Sequence, residues 1–425
     1  MEPLPTHLLP DAARVADDGR LSIGGVDALE LAERFGTPLF VYDEAHLRAR
    51  CREAATVLGE GATYASKAFL CRAMARLAHE EGLRIDVATG GELEVVLAAG
   101  VPAERTVLHG NNKSVDELRL ALGAGVGRVV VDSHDELDRI EALVAAGLPA
   151  PRVLVRVNPG IEVHTHEHVR TGNLDSKFGF PLPTGQADEA VARARASTAV
   201  ELVGLHLHIG SQVFSVDNFL EGLRAVAPFV VDADLPELVV GGGLGVAYVA
   251  GEHAPTITEW ATAVVGACRD AGITADIGAE PGRAIVGAAA ITLYTVGTVK
   301  FIPGVRTYVS VDGGMSDNPR PVLYGSGYET FLPRAASSRR EMPIRLVGKH
   351  CESGDLLVRE GLVPADLAVG DVIATPVTGA YGHSMGSNYN KVLRPPVVFV
   401  ADGRARLVVR RETVEDLLAT DVDDG

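Results

Sequence analysis

The stretch Ala62-Thr63-Tyr64-Ala65-Ser66-Lys67 decides the fold, because it is a short apolar strand that ends in a lysine and opens a series of similar strands. Further apolar runs end near Val87, Leu108, Val131, Val157, His208, Val240 and Ala279, and each run except the last is followed by a helix-like segment of Ala, Leu, Arg and Glu. This alternation predicts an α/β fold, an eight-stranded parallel (β/α)8 barrel of the TIM type. Such barrels carry their chemistry on the loops after the strands. Here those loops hold Lys67, residues 88–92, 109–113, 132–134, 158–160 and 206–212, the run Gly241-Gly-Gly-Leu-Gly245, and Glu280-Pro-Gly-Arg283.

The rhythm stops after about residue 290. The remainder reads as extended segments at 291–300, 306–311, 344–347, 372–376, 397–400 and 406–409, which predicts a C-terminal, mainly antiparallel β-domain. The expected organisation is therefore an N-terminal segment, 1–36, packing with the β-domain; a barrel, 37–290; and the β-domain, 291–425. Within the first segment, Gly19-Arg-Leu-Ser-Ile-Gly-Gly25 reads as a hairpin. The tail 421–425 is expected to fray.

Composition narrows the function. The chain has 425 residues, 47% of them hydrophobic, enough for two cores. Its 39 Lys plus Arg against 56 Asp plus Glu give a net charge of −17, which disfavours nucleic acid and anionic membranes as partners. No apolar run reaches the roughly 18 residues of a membrane span, and the opening Met1-Glu-Pro-Leu-Pro5 lacks the basic start of a signal peptide, so a cytoplasmic location is expected. Cys51, Cys71, Cys268 and Cys351 are scattered without CxxC spacing, as suits a reducing compartment. The first three fall on helix-like segments and read as core.

A lysine at a strand end can be an ordinary salt-bridge partner, but its surroundings point further. The glycines of 241–245, with Gly242, Gly243 and Gly245, let backbone N–H groups converge, and Gly282 adds another close approach, which together suit a phosphate rather than tight turns alone. A lysine beside a phosphate pocket suggests pyridoxal 5′-phosphate. That cofactor also needs a carboxylate at its pyridine nitrogen, and Glu280 can supply it. His206 and His208 alternate along one strand and share a face, which is also how a metal-dependent hydrolase presents imidazoles. No clear further ligands accompany them, Arg283 beside Glu280 disfavours a divalent cation, and the loop run His164-Thr-His-Glu-His168 lacks an evident supporting shell, so no metal is expected. His208 reads as a ring stacked on the cofactor, with His206 satisfied nearby.

Taken together, Tyr64-Ala-Ser-Lys67-Ala, Ser176-Lys-Phe-Gly179, the His208 to Gln212 loop, Gly241-Gly-Gly-Leu-Gly245 and Glu280-Pro-Gly-Arg283 resemble the fold-type III pyridoxal-phosphate decarboxylases. The motifs Ser316-Asp-Asn-Pro-Arg-Pro-Val-Leu-Tyr324, Cys351-Glu-Ser-Gly-Asp355 and Gly379-Ala-Tyr381 narrow the resemblance to the meso-diaminopimelate decarboxylase family, and it runs in order along nearly the whole chain.

The resemblance implies a carboxy-lyase that makes L-lysine and CO2 in the last step of lysine biosynthesis. It implies Lys67 as the cofactor's attachment point and Cys351, reaching across from a partner subunit, as the acid that reprotonates the α-carbon. It assigns His208, Ser211, Gly242, Gly243, Gly245, Glu280, Pro281, Gly282, Arg283 and Tyr381 to the cofactor. Arg283, Arg320, Tyr324, Glu352 and Tyr381 match substrate positions; an arginine forks onto a carboxylate, and Glu352 can take the distal ammonium. A surface salt bridge is the plain alternative for Arg320, and a core position for Cys351. A homodimer with shared active sites and a small amino-acid substrate follows, and the loop at 162–173 resembles the family's lid. Lys113 matches the family without a role that the sequence reveals. The competing functional readings are a related decarboxylase of ornithine, arginine, a carboxylated polyamine or a secondary-metabolite amino acid; a noncatalytic relative; and a racemase, which Glu280 disfavours.

Overall fold

A computed structural model of the chain describes residues 2–160, 174–208 and 210–422. The expected lid at 162–173 and the histidines of 164–168 lie outside the described residues. The chain forms two compact units, one of Arg50–Val246 with Ala254–Ala284, the other of Met1–Ala49 with Ala247–His253 and Ile285–Gly425.

The first unit is the predicted barrel. Its strands are β1 (Thr63–Ala65), β2 (Arg84–Val87), β3 (Thr106–Leu108), β4 (Arg128–Val131), β5 (Arg152–Asn158), β6 (Glu201–Leu207), β7 (Glu237–Val239) and β8 (Asp276–Gly278). They pair in chain order and in parallel, and the barrel closes where Ala62 bridges Ala279, with Thr63 N–H donating to the Ala279 carbonyl at 3.0 Å. Val107, Val130, Leu154 and Val203 pack together inside, with Val239 against them. Each strand carries continuous apolar character because both of its faces are covered.

The loops end where the sequence supplies helix caps. Thr89 caps Gly90–Ala98, Ser114 and Glu117 form a capping box on Val115–Ala124, Ser133 caps His134–Ala145, and Thr256 with Glu259 boxes Ile257–Asp270. Each cap satisfies orphan N–H groups of the first turn and so sets where the loop stops and the helix begins.

The second unit is built on a sheet whose strand order is Leu356–Val363, Met342–Val347, Arg306–Val311, Ala290–Ile302, Leu39–Asp43, Val397–Ala401 and Arg404–Val409, with Val372–Pro376 also paired to Ala290–Ile302. Most pairings are antiparallel; Arg306–Val311 with Met342–Val347 and Leu39–Asp43 with Val397–Ala401 are parallel. Two strands differ from the expectation. Leu39–Asp43, assigned by sequence to the barrel that was to begin at residue 37, lies in this sheet, where it pairs with both Ala290–Ile302 and Val397–Ala401. Leu356–Val363 was not foreseen at all, because Arg359, Glu360 and Gly361 interrupt its apolar pattern. The N-terminal hairpin is a small three-stranded sheet of Ala13–Val15, Leu21–Ile23 and Val26–Asp27. Cys51, Cys71 and Cys268 are buried.

Candidate active site

At the C-terminal end of the barrel, Lys67 sits in a single 3-10 turn, Ser66–Ala68, directly after β1. The neighbouring loop is that of β8: Ala65 N–H donates to the Pro281 carbonyl at 3.4 Å, and a side chain on Gly282 would strike the Ala65 backbone and methyl group. Lys67 and the Glu280 loop are thus adjacent across the closing seam.

Glu280 is buried and held from both sides. Oε1 lies 2.9 Å from His109 Nε2 and Oε2 lies 3.0 Å from His206 Nε2, the two imidazoles meeting edge to face. Burial alone would favour the neutral acid, but His109 and His206 hold the carboxyl well below the usual carboxylate range, so Glu280 is ionised. The same burial pushes His206 down to about 4, against the pull of Glu280. His208, further along the same strand face, is driven well below its ordinary value by burial and by the positive charges of Lys67 and Arg156, and presents a neutral ring.

Two members of this cluster escaped the sequence reading. His109 is the third ring, bringing one carboxylate and two imidazoles within 4.8 Å. That grouping has the composition of a metal site; here Glu280 Oε2 is hydrogen-bonded to His206 Nε2, while His109 Nε2 approaches Oε1 without hydrogen-bond alignment. Asp86, at the end of β2, accepts from Ser66 N–H at 3.2 Å, and burial raises its pKa to about 6 against the opposing charges of His109 and Lys67. A carboxylate inside the apolar run Ile85-Asp-Val87 was the available signal.

The glycine loop after β7 has no room for side chains. Gly243, at φ +110°, faces the Gly210 carbonyl so closely that a Cβ would overlap it, and Gly241, at φ +68°, abuts His208 and the Leu207 carbonyl. The loop is clamped to its neighbours: Val213 N–H donates to the Gly243 carbonyl at 2.9 Å, Gly245 N–H to the Val213 carbonyl at 3.0 Å, and Glu280 N–H to the Gly241 carbonyl at 2.7 Å. Beside it, Arg283 Nη2 donates to Ser211 Oγ at 3.3 Å. Gly242, Gly245 and Pro281 lie in these same loops.

Lys113 has a structural role. Its ammonium is buried against Glu136 at 2.7 Å and donates to the carbonyls of Gly110 and Val130. Nearby, Asp132 accepts from Gly179 N–H at 2.5 Å and faces Arg156 at 3.5 Å, while Arg156 lies over Phe178; this anchors the Ser176-Lys-Phe-Gly179 motif.

The other predicted residues belong to the second unit. Arg320 is buried, donates to Tyr328 Oη at 2.5 Å and stacks 4.0 Å over Tyr248; it has no carboxylate partner among the described residues, and its Nε is unsatisfied. Burial works against its charge, but Tyr328 and Tyr248 hold its pKa above the ordinary value. The surface salt bridge considered for Arg320 is excluded. Cys351 is exposed, which excludes a core position for it, and its N–H donates to Asn390 Oδ1 at 3.0 Å. Glu352 is exposed and folds back onto its own loop, accepting from Gly354 N–H at 3.0 Å. Asp355 ties that loop to the 313–320 loop by accepting from Met315 and His350 N–H groups at 2.7 and 2.8 Å. Tyr324 is about half exposed, and Tyr381 takes a left-handed conformation at φ +59°.

A strand-end amine, an ionised carboxylate, a neutral imidazole and a glycine cradle flanked by a hydroxyl and a guanidinium form a donor set suited to a phosphate-bearing aldehyde, with positions where side chains cannot intrude. The fold and this site define a class, the pyridoxal-dependent decarboxylases, whose pyridoxal binding domain matches residues 44–287. Diaminopimelate decarboxylase of Mycobacterium bovis is 48% identical over 95% of each chain, and that of Bacillus subtilis 43% identical over 97% of this chain and 98% of its own. Among solved structures, diaminopimelate decarboxylase of M. jannaschii in complex with L-lysine superposes with a TM-score of 0.90 at 32% identity, covering 97% of this chain and 98% of that one. The chain belongs to the diaminopimelate decarboxylase family.

Proposed function

We propose that the protein catalyses pyridoxal-phosphate-dependent decarboxylation of meso-2,6-diaminopimelate to L-lysine and CO2, the last step of lysine biosynthesis. The observation that carries this reading is Glu280, kept ionised between His109 and His206 beside the strand that bears Lys67.

When bound, pyridoxal phosphate supplies an electron-accepting ring that takes up the bonding electrons as CO2 leaves. Glu280 would hold a proton on the ring nitrogen, its remaining lone pairs being open while the histidines fix its orientation. Lys67 would hold the cofactor through its side-chain amine until a substrate amine takes its place. Neutral His208 would help hold the ring without adding charge. Ser211, the backbone of Gly242, Gly243 and Gly245, the Pro281-Gly282-Arg283 turn and Tyr381 hold the phosphate end.

Specificity in this reading rests on Arg320, whose unsatisfied guanidinium edge suits the distal carboxylate, with Glu352 for the distal ammonium and Arg283, Tyr324 and Tyr381 completing the substrate contacts. Cys351 delivers the proton that replaces the lost carboxylate. The exposure of Cys351 and Glu352 supports a homodimer in which each subunit completes its partner's site. A cytoplasmic location accords with lysine synthesis; no helix among the described residues is long and apolar enough to cross a membrane.

The test is CO2 release by the holoenzyme from meso-diaminopimelate, L-ornithine and L-arginine at equal concentration. Release from diaminopimelate alone, with L-lysine as product and activity lost on dilution to monomer, is the expected result. Preference for ornithine or arginine overturns the substrate assignment, and an active monomer overturns the shared site.

A further inference from the structure

The opposite end of the barrel holds a cavity that decarboxylation does not use. Its volume is about 320 Å³, and its charged lining is Arg84, Arg128, Arg269, Glu60, Glu237 and Asp276. Its inner wall reaches Glu280, whose two oxygens lie 2.9 Å from His109 Nε2 and 3.0 Å from His206 Nε2.

The charges around the mouth pair incompletely. Glu237 is gripped by Arg128, which donates from Nε at 2.8 Å and from Nη2, and has Arg152 at 3.6 Å. Glu60 is taken by Arg105, and Arg84 stands 3.9 Å from it. Arg269 directs Nη1 at the carbonyls of Ile273 and Ala275, at 3.0 and 3.2 Å, which leaves Nε and Nη2 unpartnered among the described residues. The Arg84 guanidinium makes no hydrogen bond among the described residues, although its side chain is only 23% exposed. Asp276 has no cationic partner there either.

Two arginines with vacant N–H edges and one unpaired carboxylate therefore share a cavity whose remaining wall includes Val57, Leu58, Val107, Leu154 and Val265. Arg84 stands on β2, in register with Thr63 of β1, and β1 closes against β8, whose first residue, Asp276, lies four positions before the one level with Arg84; both side chains line the cavity. Side chains reaching inward from both can hold opposite charges of one small molecule. A guanidinium cannot shed its charge, so a largely buried arginine is stabilised by an anion. Burial and the proximity of Arg128 both work against the charge on Arg84, as expected where that anion is wanting.

We propose that the N-terminal mouth of the barrel binds an aliphatic α-amino acid as its zwitterion, with the carboxylate on Arg84 and Arg269, the ammonium on Asp276 and the side chain against the apolar wall. This site is independent of the proposed reaction. It is tested by saturation-difference NMR titration of the holoenzyme with L-norvaline, valerate and pentylamine, which share a chain and differ in the head group.

Saturable binding of norvaline, weaker binding of valerate and none of pentylamine are expected. Arg84→Gln and Arg269→Gln should each weaken norvaline at least tenfold, with CO2 release and the cofactor's visible spectrum unchanged. Should Arg84→Gln fail to fold, Arg84→Lys keeps a charge without the fork and should still lose affinity. Equal binding to wild type and variants, or a norvaline-induced change in the cofactor spectrum that accounts for all binding, overturns the proposal, as does absence of binding. Loss of CO2 release from diaminopimelate in the wild type would instead count against the proposed reaction and leave the mouth site standing.

Discussion

The residues proposed for the site are set differently in the two units, and so are the charges that support them. In the barrel they are buried and mutually committed: Glu280 to two histidines, Lys113 to Glu136, Asp132 to Arg156 and the Gly179 amide. In the sheet unit, Cys351, Glu352 and Tyr324 stand exposed, while Arg320 is buried without a carboxylate partner among the described residues. A preformed electrostatic cluster is what a fixed cofactor requires, because its donors must be oriented before substrate arrives. Exposed, chemically able residues on a second unit suit the part of a site that must admit and release substrate.

Substitution can break this contrast. The largest effect is expected from Lys67→Ala, which should lose the visible absorbance of attached cofactor and reduce CO2 release by at least about 10³-fold, the upper range for a positioned proton-transferring group. Cys351→Ala should keep the absorbance and lose about 10²-fold in kcat; loss of absorbance in this variant would show that Cys351 also helps hold the cofactor. Next comes stability. Removing one partner of a buried ion pair strands the other, so Glu136→Ala should destabilise the protein by about 3 to 5 kcal/mol in urea unfolding. A change near zero would mean that Lys113 sheds its proton or finds water.

Smaller effects sharpen the comparison. Arg320→Lys preserves charge but loses the planar fork, and should raise KM for diaminopimelate by about tenfold with little change in kcat; an unchanged KM would remove Arg320 from the substrate site. The mildest test concerns Asp317, whose pKa burial raises to about 7 although Tyr294 donates to it at 2.6 Å. An acid raised on folding adds stability that is complete below its unfolded pKa, about 4, and is lost as pH rises through about 7. The melting temperature of wild type should therefore fall across that window more steeply than that of Asp317→Asn, and parallel curves would sink the idea.

The barrel was legible because its strands are short apolar runs punctuated by capped helices, a signal carried by neighbours in sequence. Lys67, Glu280 and the 241–245 glycines were legible for the same reason, as chemistry at strand ends. Leu39–Asp43 was misassigned because an apolar run names no partner; only pairing with strands more than two hundred residues away places it in the sheet. The same applies to His109 and Asp86, whose importance lies in Glu280 and Lys67 across the barrel, and to Lys113, whose Glu136 lies a strand and a helix away.

The seam between β1 and β8 also governs timing. Lys67 emerges early in synthesis and Glu280 late, and Ala62 meets Ala279 only when the last barrel strand has left the ribosome. No partial chain can bring together Lys67, the proposed anchor of the cofactor, and Glu280, its proposed counter-charge. In that reading a nascent chain is blind to its cofactor until the ring is complete, and cofactor capture would report that the barrel has closed.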